Sequence, residues 1–200
     1  MHPSLGAESV SFRFNAETHE YVDAQGEVLT HITSMLLRTG HIQDEWFTDE
    51  SCDRGIAVHR LVTDYDLGGL VPEDLAQHEY RGYLLAHVKA MEILRPHWTA
   101  VEVPLVHPQY RFGGRPDRVG LLHGQDTILE VKSGAKSRAH SIQTAMQAIL
   151  AAGQGGLPAE HYQRGALYLT PKGKFRLEVH RDRRDLDEAY RIIRVCCPGR

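Results

Sequence analysis

The stretch GGRPDRVGLLHGQDTILEVKSG, residues 113–134, decides how this chain is read. An Asp follows a proline, a short apolar segment turns at His123-Gly124-Gln125-Asp126, and Glu130-Val131-Lys132 then sits where a buried strand normally carries Val, Ile or Leu. With residues 123–126 as the hairpin loop, Leu122 faces Thr127 and Asp117 lies opposite Lys132. Partners across a ladder, and residues two apart along one strand, project on the same side of a sheet. That register gathers Asp117, Glu130 and Lys132 on one face, with Glu130 and Lys132 roughly 6.5 Å apart along the strand. A slip of one residue would scatter them.

Burying such charges without partners costs several kcal/mol, so their placement calls for a reason. One is a structural cluster whose members simply pair with one another. The other is a divalent cation. Mg2+ takes a few carboxylate oxygens together with waters and phosphate oxygens, a set that Asp117 and Glu130 could supply. A metal so held acidifies water and offsets charge on a phosphodiester, and the neighbouring Lys132 ammonium can orient that water or stabilise developing charge. Hydrolysis of a phosphate ester is the reaction the three residues fit.

Around this stretch the chain has an ordinary globular balance, 42% hydrophobic and 24% charged over 200 residues, which suits one domain with a sizeable core. A net charge of −3 excludes a polycation that coats nucleic acid indiscriminately, though not a local basic surface. No apolar run reaches membrane-spanning length, and the first residues lack a basic start and an apolar signal core, so an unexported protein without a membrane partner is expected. Cys52, Cys196 and Cys197 form neither an even disulfide set nor a CxxC pair, which points to reduced thiols in a cytoplasm. A zinc protein built on the thirteen histidines lacks paired ligand spacing.

The pattern of elements predicts a mixed α/β (α+β) protein with a central mixed or largely antiparallel sheet. Residues 11–36 read as a hairpin around Ala24-Gln25-Gly26 leading into a short helix. Residues 53–69 read as a helix with Ile56, Leu61, Val62 and Tyr65 inward, stopped at Gly68-Gly69. A longer helix follows from Leu75 to near Pro96, with Tyr80, Leu84, Val88 and Met91 as its apolar stripe. Next come strands over TAVEVPLV, YRFGGRPDRVGLL and DTILEVKS, a helix from Ala139 with Ile142, Met146 and Ile149 on one face, a second hairpin, and a closing charged helix. The expected divisions of this single domain are about 1–98, a catalytic core of about 99–182, and a helix of about 183–196.

Pro116-Asp117 and Glu130-Val131-Lys132 on neighbouring strands resemble the PD-(D/E)XK nuclease superfamily, specifically its RecB-like and phage-type exonuclease branch. Gly55-Ile56-Ala57-Val58-His59 matches the G-x-x-x-H helix motif of RecB-like members, and the likeness runs from about residue 53 to 170. The resemblance implies a restriction-endonuclease-like core and a Mg2+- or Mn2+-dependent DNA nuclease, frequently an exonuclease acting on DNA ends in recombination or repair. It implies Asp117 and Glu130 as metal ligands, Lys132 as the catalytic lysine, His59 and the Val131 backbone carbonyl as further ligands, and Glu102 as an additional acidic residue at the metal. Gln143 falls where the branch has Q-x-x-x-Y, but position 147 is Gln, so the tyrosine is absent.

Gln143 and Gln147 are expected to contact DNA, with Arg54, Arg60, Arg115, Lys136 and Arg138 as phosphate contacts, and Arg164, Lys172 and Lys174 as further options. Some relatives hold an iron-sulfur cluster with one early and three late cysteines; one early and two adjacent late ones are too few for four thiolates, so no cluster is expected. The partners implied are DNA ends, single- or double-stranded, and a recombination or single-strand-binding protein. Two rivals are a structure-selective or restriction-like endonuclease and a non-cleaving DNA-binding subunit.

Overall fold

The computed structural model describes residues 11–43 and 48–198; the expectation about the first ten residues therefore lies outside the described part. An N-terminal antiparallel sheet of β1 (Phe12–Asn15), β2 (Glu20–Asp23) and β3 (Val28–Leu29) leads into α1 (Ile32–Arg38), α2 (Asp49–Asp66) and α3 (Arg81–Leu94). The strands that follow are β4 (His97–Val101), β5 (Leu105–Val106), β6 (Gly113–Gly114), β7 (Arg118–Leu122) and β8 (Gln125–Lys132). Helix α4 (Arg138–Ala152), strands β9 (Gln163–Leu169) and β10 (Phe175–His180), and α5 (Arg184–Cys196) complete the described chain.

The central sheet runs β10-β9-β8-β7-β4, antiparallel except for the β8/β9 pair, which α4 connects as a parallel crossover. The architecture is thus α+β with a mixed five-stranded sheet. Both faces are covered, which accounts for the near-continuous burial of β8. Ile128 packs into the cluster built by α1, α4 and α5, whereas Leu129 and Val131 pack with Val58 and Val62 of α2 and Tyr83, Ala86 and Ala90 of α3. Among the described residues, no helix is long and apolar enough to cross a membrane.

Several local expectations are corrected. The β7–β8 hairpin turns on His123-Gly124 alone, both with positive φ (52° and 77°), so Leu122 pairs with Gln125 and Arg118 with Leu129. The register is displaced by two residues from the expected one, and a displacement of two returns every side chain to its original face. The long strands expected before this hairpin are each broken. Pro116, which has no N–H to give a ladder, separates β6 from β7, and Glu102 in the left-handed region (φ 53°) separates β4 from β5.

Helix α3 begins at Arg81, after a 3-10 turn over Pro72–Leu75, rather than at Leu75. Ile56 is exposed, because the buried stripe of α2 is Val58, Leu61 and Val62 at i, i+3, i+4 spacing. A position two before Val58 is rotated about 200° from it and faces away.

Gly120 marks the closest approach in the sheet. A Cβ there would lie 2.2 Å from the His97 carbonyl oxygen and 2.7 Å from Trp98 Cα, beside the register shift of β4 between Trp98 and Ala100. Both contacts are backbone and have little room to yield. Gly120→Ala should lower unfolding stability by about 1–3 kcal/mol or more through displacement of β4; a urea denaturation curve superimposable on that of wild type would contradict this packing.

Candidate metal centre

Three segments far apart in sequence meet at the start of β7. Helix α2, capped where the Thr48 side chain accepts from Ser51 N at 3.2 Å, carries His59 on its middle turn. The end of β4 supplies Glu102, and the residue before β7 is Asp117. His59 Nδ1 stands 3.4 Å from Glu102 Oε1 and 3.5 Å from Asp117 Oδ2, and one ligand atom from each residue falls within 4.8 Å of the others. Asp117 is buried, and Val131 N donates to its Oδ2 at 2.7 Å, locking the carboxylate onto the last residues of the neighbouring strand.

Glu102 adopts its left-handed backbone against a cost of about 1–2 kcal/mol. Its N–H donates to the Asp117 carbonyl at 3.0 Å, and Arg115 Nε holds Oε2 at 2.8 Å, leaving Oε1 on the His59 side.

Glu130 lies beside this trio in a cradle of its own. Lys132 Nζ (2.8 Å) and Gln143 Nε2 (2.6 Å) both donate to its Oε1, and Gln147 Nε2 donates to its Oε2 at 2.6 Å. Lys132 Nζ also donates to Gln143 Oε1 at 3.1 Å. A carboxylate has about four lone-pair positions. The hydrogen bonds found among the described residues use three of them, which leaves one on Oε2. His59, Glu102 and Asp117 are thus brought together as ligand atoms, with Glu130 and Lys132 adjacent; Val131 contributes its amide to Asp117.

The electrostatics belong to one coupled cluster. Burial alone would depress His59, but the Asp117 carboxylate, the Glu102 hydrogen bond and the Glu130 charge outweigh it and push its pKa up to about 9. Burial raises Asp117, helped by the Glu130 charge and opposed by His59. Burial also acts to raise Glu130, yet the Lys132 and His59 charges and the donated hydrogen bonds hold it below the usual range. Lys132 is raised: burial opposes its charge, and Glu130 and Asp117 more than compensate.

Under the centre lies a charged network that the sequence reading missed. Arg118 is fully buried; its Nε donates to Asp66 Oδ2 at 2.6 Å and its Nη1 to the Asp117 carbonyl at 2.7 Å. Asp66 also pairs with the buried His87 Nε2 at 2.8 Å, so α2 and α3 are tied to the segment that presents Asp117. Burial raises Asp66, but its bonds to His87 and Arg118 prevail and hold it low. A cation in the otherwise apolar RVGLL strand was the only signal; nothing in the sequence pairs it with Asp66 or His87.

The expected DNA contacts divide. Gln147 is buried against Glu130, which removes it from any surface a strand would touch, and Gln143 bridges Glu130 and Lys132. Arg164 is buried as well, donating to the Ser141 and Asp182 carbonyls. Arg60 is exposed and Arg54 half-buried on α2, while Arg115 lies over the Phe14 ring, 5.6 Å from its centroid. Lys136 pairs with Glu178 at 2.5 Å and Arg138 with Asp185 at 2.7 Å. Cys52, Cys196 and Cys197 are free thiols, the first on α2 and the others at the end of α5. No protein-family model matches the chain, and no curated protein matches it.

One imidazole nitrogen and two carboxylate oxygens form a donor set that could hold a divalent metal ion. Because His59 must lose its proton to serve as a ligand, Mn2+ affinity should rise at least tenfold per pH unit below about pH 9 and level off above it. Calorimetric titrations in buffers of different ionisation enthalpy would report the proton released; a pH-independent affinity would exclude His59 as a ligand. Separately, Asp66→Ala leaves the buried Arg118 with only Glu102 Oε1, 3.9 Å away, as a counter-charge and should cost about 3–5 kcal/mol of stability in chemical denaturation.

Proposed function

We propose that this chain is a Mg2+- or Mn2+-dependent DNA nuclease of the PD-(D/E)XK kind, acting on DNA ends in recombination or repair in a bacterial or phage-infected cell. The observation that carries the reading is the convergence of His59, Glu102 and Asp117 within 4.8 Å, with Glu130 and Lys132 immediately beside them. The residues quoted for the resemblance lie on α2, β8 and α4 and on the two segments that follow β4 and precede β7, and they meet at one place. The mixed sheet with α4 crossing between β8 and β9 also agrees with the restriction-endonuclease-like core that the resemblance implies.

A bound divalent ion would supply an acidified water and neutralise charge on the scissile phosphate. The protein's part is to hold donors still and keep them ionised. His59, Glu102 and Asp117 would bind the ion, while Glu130, outside that group, keeps one free position on its Oε2. Lys132 Nζ, fixed by Glu130 Oε1 and Gln143 Oε1, keeps a third N–H to donate in a hydrogen bond to a phosphate oxygen or to a water it orients. Gln143 and Gln147 serve as positioning residues for Glu130 in this scheme. The absent tyrosine of the Q-x-x-x-Y pattern is replaced by an amide that grips the same carboxylate.

The test follows linear DNA labelled at either end, single- and double-stranded, beside a covalently closed circle, with Mg2+, Mn2+ or EDTA. Wild type should degrade linear DNA only, and only with metal. Asp117→Ala should be inactive, and Lys132→Ala should lose about 10²–10³-fold in rate while retaining DNA binding. Cutting of the circle would replace the exonuclease by an endonuclease. No cutting in either metal would favour a DNA-binding subunit, and wild-type rates in Lys132→Ala would remove that lysine from the mechanism.

A further inference from the structure

The pairing of β8, β9 and β10 sets Lys132, Tyr168 and Arg176 in one cross-strand row, since Lys132 pairs with Tyr168 and Tyr168 with Arg176. Neighbours in such a row share a face, and the backbones of Lys132 and Arg176 are about 10 Å apart across two strand spacings. Tyr168 is buried, and its hydroxyl lies 2.9 Å from His140 Nδ1 on α4. The Arg176 guanidinium rests over its ring, 5.2 Å from the centroid, with the side chain 62% exposed. From the segment before α4, Lys136 reaches the same place with its side chain 56% exposed.

Between these two cations lies one carboxylate. Glu178 Oε1 is 2.5 Å from Lys136 Nζ and its Oε2 is 3.4 Å from Arg176 Nη2. Its own row contains Ala166 and Glu130, so it sits two residues along β10 from Arg176, on the same face as the centre. An anion bridging an ammonium and a guanidinium, both largely open to solvent, occupies the position that a phosphate would take. Exposed pairs of this kind hold weakly, so a phosphate can displace the carboxylate.

We infer that Lys136 and Arg176, with Tyr168 as the brace under the guanidinium, form a second phosphate subsite for the nucleic-acid strand, and that Glu178 occupies it until a strand enters. The subsite rests on the nuclease reading and extends it. A strand with one phosphate at the centre passes over the Tyr168 row and places a neighbouring phosphate between Lys136 and Arg176. Glu178 competes for the subsite, and a phosphate tethered by the rest of the strand displaces it more readily than a free anion of the same kind.

The test is fluorescence anisotropy with a short labelled single strand in EDTA, over a series of salt concentrations, for wild type, Lys136→Gln, Arg176→Gln and Glu178→Gln. Each cation variant should weaken binding about three- to tenfold at low salt and lower the slope of log affinity against log salt by about 0.7. Glu178→Gln should tighten binding about threefold, a gain that damage to the fold does not produce. Wild type that cuts DNA with Mg2+ while all three variants bind as it does would overturn the subsite and leave the nuclease reading standing. Wild type that neither binds nor cuts DNA would overturn both.

Discussion

An ionised carboxylate inside a sheet is tolerated only if its charge is answered, and Glu130 places one in the buried run of β8. Much of the surrounding structure serves that requirement. Lys132 supplies the opposite charge from the same strand, and α4 crosses at a height that brings Gln143 and Gln147 down onto the two oxygens. A helix with Leu at those positions would leave the carboxylate with Lys132 alone, and its Oε2 without a donor. The low pKa direction of Glu130, despite burial, expresses how fully these donors compensate.

Asp117 and Glu102 extend the same constraint across the sheet edge. Neither has a cation on its own strand segment to pair with it as Lys132 pairs with Glu130, so the charges come from elsewhere: His59 from α2 and Arg115 from the loop before β7. The left-handed backbone at Glu102 is a local strain carried by an arrangement that holds it from several sides. Beneath it, Arg118 exchanges contact with water for Asp66 and the Asp117 carbonyl, which makes the floor of the centre rigid. The result is a set of carboxylates held in a fixed geometry among the site's own cations.

Much of this architecture was legible in the chain. The α+β class, the order of the main elements, the helix after Glu-Val-Lys and the sharing of one face by Glu130 and Lys132 follow from periodicities of two and 3.6 residues. The expected hairpin register was two residues off, yet the faces were right, because parity rather than register decides which side of a sheet a residue occupies. Ile56 was misplaced for the complementary reason: on a helix every position has its own angle, and a stripe read without its neighbours can be rotated away from the core.

The sequence by itself determined that Asp117, Glu130 and Lys132 would share one face of the sheet and which elements would carry them, because alternation and helical spacing are local properties of the chain. Only the tertiary structure decided the partners. That Arg118 meets Asp66 and His87, that Gln147 grips Glu130 instead of facing outward, and that Glu178 lies between Lys136 and Arg176 all depend on elements brought together across many residues. Charge pairing acts over a few ångströms through space and carries no signature in sequence separation.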